Sequence, residues 1–322
     1  MREPMAHQES PRARPGQEHF VAETDETGLG AVDAVDDSGA PSSVWSERWR
    51  TLRRRPTFWV AAVLILLVCA MAAFPGLFTS QDPRFCELSN SLGESRAGHP
   101  FGFDRQGCDI YARTIHGARA SVMVGVLSTL AAMVIGTLIG SLAGYFGGWL
   151  DTVLARITDI FFAVPLVLAA IVVMQVFSGS RSTWTVVTVL AAFGWPQIAR
   201  IARGAVMSVK NNEFVTAAVS LGLGRMTTLW RHVVPNAAAP IIVYGTVALG
   251  IFIVTEATLS FLGIGLPPSI TSWGGDIAKA QQSLRADPAV LFYPAGALAL
   301  TVLSFIMMGD AVRDALDPKG RR

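Results

Sequence analysis

The sequence predicts an all-α integral membrane protein with six transmembrane helices, and three observations carry that prediction. Of 322 residues, 51% are hydrophobic and only 16% are Asp, Glu, Lys or Arg, against about 25% charged residues in an ordinary soluble domain. Mean hydropathy is positive, at +0.43. Six weakly charged or uncharged runs each come close to, or exceed, the roughly 20 apolar residues that a helix needs to cross the hydrocarbon core. Lipid offers no water to unpaired backbone groups, so such runs form helices. They also lack the alternating polar pattern of a membrane barrel.

The elements follow in chain order. Residues 1–47 are expected to be a disordered acidic tail facing the cytoplasm: the first 43 hold nine acids and three Arg and show no apolar period. The tail is either a plain solvated extension or a segment that binds a regulator. Residues 48–80 carry a basic flank and the first span, an uncharged run from Thr57 to just before Asp82. The run starts too late for a cleaved leader and is long enough to span. Cys69 inside it is expected to be a small packing residue.

Residues 81–117 are expected to be an extracytoplasmic segment. Its second half, "HPFGFDRQGCDIYARTIHGARAS", becomes helical toward the second span. There Asp109, Arg113 and Arg119 either form the polar side of an interfacial helix, with Ile110, Tyr111 and Ile115 toward lipid or protein, or belong to a structural plug at the membrane surface, which is the preferred reading. Cys86 and Cys108 fall in this segment, where the compartment permits a disulfide. A bridge and two free thiols are the two readings.

Residues 118–312 form a five-helix core. Its runs are 120–150, 160–180, 182–199, 233–266 with Glu256 inside, and 288–309. Residues 313–322 are a C-terminal tail. Lys and Arg concentrate before the first span, between the fourth and fifth, and after the sixth. By the positive-inside rule these places, and both termini, face the cytoplasm. The outer segment holds five Arg, balanced by five acids between 81 and 119.

Catalytic motifs are missing from the sequence. No G-x-x-x-x-G-K-[ST], H-E-x-x-H or G-x-S-x-G string occurs, and no Cys pair has zinc spacing. All five His lie outside the six runs, and no series of acids marches through a span as a proton pump would need. Two acids remain near the bilayer. Asp159 is read as an interfacial charge or a gating group. Glu256, in "FIVTEATLSFLGIG", is read as a polar partner across a helix interface or as part of a gate or solute path.

The stretch "VKNNEFVTAAVSLGLGRMTTLWRHVVPNAAAP", from Val209 to Pro240 and overlapping a loop spanning 203–236, is too polar to span and too patterned for a linker. Phe214, Ala217, Ala218 and Leu221 recur at helical spacing as one apolar face. Gly222 and Gly224 end that helix. The helix either docks a partner protein or lies on lipid.

That stretch resembles the cytoplasmic EAA loop of ABC importer permeases. With "GYFGGWLDTVLARITDIFFAVP", "EATLSFLGIGLPPSITSWGGDI" and the outer block quoted above, the chain resembles the dipeptide-permease C type of the dipeptide/oligopeptide/nickel importers from about residue 50 onward. The resemblance implies the type I importer permease fold. It places Glu213, Phe214, Thr216, Ala217, Ala218, Leu221, Gly222 and Arg225 in a coupling helix for an ATPase. Thr216 stands where the motif has Glu, which shifts docking toward Glu213 or Arg225. Cys108 stands where these proteins often have Arg.

The resemblance further implies a sister permease in a heterodimer, two ATP-binding cassette ATPases or one fused ATPase, and an extracytoplasmic solute-binding protein. ATP and Mg are used by the ATPases. The chain itself is expected to bind no cofactor, metal or nucleic acid, to catalyse nothing, and to sit in the cell membrane as a multi-pass protein. Di- and oligopeptides are the expected solutes, with nickel chelates, glutathione or haem as alternatives. The rival from another class is a self-sufficient secondary carrier or channel, which would show inverted halves or broken helices with paired ionisable groups.

Overall fold

The structure, a computed structural model, describes residues 44–316. The expected disorder of residues 1–43 lies outside the described residues, as do residues 317–322. From Glu47 onward the described chain forms one compact unit. Its helices are α1 (Val44–Arg53), α2 (Pro56–Ala73), α3 (Ile110–Phe146), α4 (Gly148–Phe162), α5 (Leu166–Val176), α6 (Thr183–Val209), α7 (Glu213–Ser220), α8 (Arg225–Thr228), α9 (Val234–Phe261), α10 (Trp273–Ala280) and α11 (Ala289–Leu316).

Several boundaries differ from the sequence expectation. Helix α1 begins at Val44, inside the segment read as tail, and α11 runs on to Leu316, inside the segment read as the C-terminal tail. Pro56 opens α2, where a missing N–H costs nothing. Helix α3 begins at Ile110, so the last residues of the segment 81–117 are already helical. What was read as an interfacial helix is the first turns of α3 itself, and Arg113 there is buried. Charge hid the continuity of this helix with the second span, because Arg113 spends its charge on a protein partner and not on water. Cys69 is exposed on α2 rather than packed inside the chain.

Five helices among the described residues, counting Arg225–Phe261 as one, are long and apolar enough to cross a membrane. The α4–α5 pair passes the same test together but bends by 77° at its break. Pro165 causes the break: it lacks an N–H to continue the ladder and holds the backbone extended at ψ 126°. Ion pairs fix how the pair is counted. Arg55 at the start of α2 binds Asp314 at the end of α11, so the number of crossings between them is even. Arg203 at the end of α6 binds Asp151 at the start of α4, so α4–α5 and α6 make a return trip. The bent pair is therefore one crossing and the total is six.

Helix α3 is the central element and packs most extensively on α6. Gly136, Gly140 and Gly144 recur every fourth residue along it. A Cβ at Gly140 would overlap the carbonyl of Ala199 on α6. Such small-residue stripes let membrane helices approach closely, where dispersion replaces the missing hydrophobic drive. The main apolar cluster, around Val124, Leu190, Trp195, Ile198 and Phe252, joins α3, α6 and α9.

Candidate coupling and transport site

At the Arg-rich end of the bundle, α7 stands between two spans. Helix α6 ends at Val209, and Lys210 there donates to the Gly144 carbonyl at 2.7 Å, tying the turn to α3. Asn212 starts α7 with extended backbone. Val215 and Ala218 turn inward; Val215 packs with Val206, Leu229, Val233 and Ala237. The opposite face is open: Glu213, Phe214, Thr216, Ala217, Val219 and Leu221 are exposed, Leu221 at 82%. Helix α7 thus has two apolar faces, one holding it to its own chain and one without cover.

The candidate residues do not all share one face. Phe214, Ala217 and Leu221 lie on the open side, and Ala218 lies on the buried side with Val215. Val215 went unnoticed in the sequence although it sits three residues before Ala218, the spacing of a shared helix face. Gly222 has φ +86°, a conformation that glycine adopts without Cβ strain. Its N–H donates to the Val219 carbonyl at 2.9 Å, and Leu223 N–H donates to the Ala218 carbonyl at 3.2 Å. This is a Schellman stop. Gly224 then begins α8, where Arg225 is exposed. A π turn over Leu229–Val233 joins α8 to α9. The segment after α7 is therefore rigid helix that continues into a span.

Charges at the same end tie α4 to α6. Arg203 grips Asp151 with two hydrogen bonds, at 2.6 and 2.7 Å. Asp159 is half-exposed and lies 3.5 Å from both Arg156 and Arg200.

The opposite end carries a cross-linked cap. Cys86 and Cys108 are disulfide-bonded, with Cα atoms 4.1 Å apart. Asp109 caps α3, accepting from the N–H groups of Tyr111 and Ala112, and pairs with His99 at 2.7 Å. Arg113 donates from Nε to Asp276 on α10 at 3.0 Å and from Nη1 to the Pro83 carbonyl at 3.3 Å. Burial, together with the Arg113 and Asp276 charges acting in opposite senses, leaves the Lys279 ammonium below its ordinary pKa. Sequence reasoning missed the Arg113–Asp276 pair, since 163 residues separate its members.

Glu256 is fully buried where α9 meets α3 and the start of α10. Ser260 donates to its Oε1 at 2.7 Å. Ser121 and Ser272 stand beside the carboxylate, although Oε2 has no partner in full hydrogen-bond geometry. Trp273 locks the same junction through its indole N–H to the Thr114 carbonyl, at 2.8 Å. Among the described residues, no group of three or more His, Cys, Asp or Glu converges as metal ligands would.

Comparison with known proteins gives a consistent picture. Residues 136–322 match the family described as binding-protein-dependent transport system inner membrane component. Residues 43–92 match the N-terminal transmembrane domain of oligopeptide transport permease C. The chain is 37% identical to the oligopeptide transport system permease protein OppC of Bacillus subtilis, over 91% of this chain and 95% of that one. It is 36% identical to the glutathione transport system permease protein GsiD of Pectobacterium atrosepticum, over 85% and 91%. It is 34% identical to the dipeptide transport system permease protein DppC of Alkalihalophilus pseudofirmus, over 88% and 93%. Among solved structures, an inward-facing MetNI methionine ABC transporter chain shares the fold with a TM-score of 0.53, at 19% identity, over 64% of this chain and 97% of that one.

Proposed function

Because the chain belongs to the family of binding-protein-dependent transport system inner membrane components, it is a multi-pass permease subunit of an ABC importer, and we propose that this importer takes up di- and oligopeptides across the cell membrane. Membership implies separate ATPases, which hydrolyse ATP, and a solute-binding protein. A heterodimer with a sister permease completes the proposed machine. The Arg-rich end, with α7, faces the cytoplasm, as the distribution of Lys and Arg favours. The disulfide-bearing cap faces outward, where such bonds persist. The chain itself holds no cofactor, and ATP with Mg stays on the ATPases.

The observation that carries the coupling role is the two-faced α7. Its inner face, Val215 and Ala218, fixes it to the base of two spans, and its outer face of Phe214, Ala217 and Leu221 is open for a cleft on an ATPase. ATP binding closes the ATPases on each other and shifts α7. Lys210 and the Arg203–Asp151 pair pass that shift to α3 and α4. Spans then rearrange as packed bistable elements, and access alternates. Thr216 offers no charge to the cleft, so Glu213 and Arg225, both exposed, supply the polar contacts.

The assay is uptake of a labelled dipeptide by the complete importer in vesicles, with and without ATP. Uptake that requires both ATP and the binding protein supports the reading. The glutathione relative gives a second solute to run beside it. Saturable uptake of glutathione with none of dipeptide would replace the solute and leave the coupling intact.

A further inference from the structure

The break in the third crossing opens onto a half-open cavity of about 280 Å³, bordered by α4, α5, α6 and α9. This is near the lower bound of small-molecule pockets, about 300–1,000 Å³. Irregular backbone at membrane depth persists only where protein buries it or where it lines a polar cavity. Here the backbone keeps unspent capacity: no hydrogen bond is donated by the N–H groups of Leu166, Val167 or Leu168. Pro196 sits inside α6 on the facing wall and removes another ladder bond.

Two polar side chains line the same space. Gln197 and Tyr244 are half-buried, and neither the carboxamide nor the hydroxyl has a hydrogen-bond partner among the described residues. A carboxamide left unpaired inside a span is costly, so its position calls for a polar guest. The rest of the wall is apolar, and Phe161, Phe162, Phe193 and Phe252 contribute four aromatic rings to it. No Asp, Glu, Lys, Arg or His lines it. On its Arg-rich side, Arg200 stacks on the Phe162 ring at 4.4 Å and reaches Asp159.

We propose that this cavity is the solute subsite of the subunit, where Gln197 and Tyr244 hydrogen-bond the amide groups of a peptide backbone and the Phe rings accept its side chains. The proposal rests on the peptide-importer reading and makes it more specific. An amide offers one donor and one acceptor, which a carboxamide matches on both counts. Four phenylalanines and no formal charge favour uncharged side chains of varied shape. Selection by backbone amide then suits a carrier of peptides with mixed uncharged side chains. Arg200 and Asp159 then close the subsite toward the Arg-rich side.

The test uses the complete importer in vesicles, with tritiated dialanine as probe. Gln197→Leu combined with Tyr244→Phe is expected to lower dialanine moved per ATP hydrolysed at least tenfold, and Gln197→Asn, which keeps a carboxamide, to retain more than the Leu variant. A dipeptide bearing benzoylphenylalanine, photolysed on the unmodified importer during turnover, is expected to label segments 161–166, 193–197 or 244–252. Unchanged dialanine per ATP in the double variant, or labelling confined to other segments, overturns the subsite. If the unmodified importer moves no dialanine, the peptide reading fails instead. The same variants are then read with glutathione, which also carries amide bonds, and an unaffected glutathione flux overturns the subsite by itself.

Discussion

A side chain at Gly222 meets no neighbour within 4 Å, so a substitution there acts through backbone conformation alone. The left-handed geometry costs a non-glycine residue roughly 1–2 kcal/mol. Gly222→Val is expected to loosen the stop after α7 while the bundle still assembles, so that ATP hydrolysis continues and solute moved per ATP falls at least tenfold. Gly222→Asn is expected to be milder, because Asn tolerates this region. Paired measurement of phosphate release and uptake checks both, and wild-type coupling in the Val variant would remove Gly222 from the coupling path. At the other end, Arg113→Met would strand the buried Asp276 carboxylate. Removing one partner of a buried pair costs about 3–5 kcal/mol, so thermal unfolding in detergent is expected to drop by several degrees. Replacing both partners, with Asp276→Leu added, is expected to recover most of that loss. A double variant no more stable than Arg113→Met would deny that the pair is the cause.

Among the elements, the α3–α6 contact is set by small residues and the outer cap by a covalent bond. Gly140→Leu is expected to pry α3 from α6 and to prevent accumulation of folded protein, because a Cβ there already overlaps the α6 backbone. Gly204→Ala on α6, where nothing lies within 4 Å, is expected to be tolerated. Size-exclusion profiles of the two variants decide the matter, and equal profiles would contradict close packing. Opening the Cys86–Cys108 bond, by Cys86→Ser, is expected to cost about 2–4 kcal/mol of cap stability. The spans were legible in sequence because hydropathy is a one-dimensional property that lipid enforces locally. Direction is not: the uncharged run 160–180 continues through Pro165, and only the fold reveals a 77° bend there. The α7 segment was legible as a helix with a glycine stop, but its two apolar faces were not separated. Phe214 advertised itself by size, while the smaller Val215 makes the buried contact. The continuity of α3 from Ile110 into the span was masked by Arg113 and Arg119, since a charge in sequence does not disclose whether water or Asp276 receives it.

For the molecule as a whole, two ends with different chemistry are joined by six crossings. The Arg-rich end holds an uncovered helix mounted on rigid spans, and the far end holds a disulfide-linked cap tied to α3 through Arg113 and Pro83, with α10 held to α3 by Arg113 and Trp273. In the proposed coupling, a push on α7 would travel through Lys210, Arg203 and Asp151 into α3 and α4, beside the cavity at the broken crossing. The chain is proposed to act as a transmission, inert without a driver. Vesicles containing the full set of subunits, loaded with labelled dipeptide outside and ATP at the ATPase side, measure this directly. The expected result is uptake that stops when ATP is withheld and is absent from vesicles holding this chain alone. Uptake by the lone chain at the rate of the full set, with no nucleotide, would contradict it.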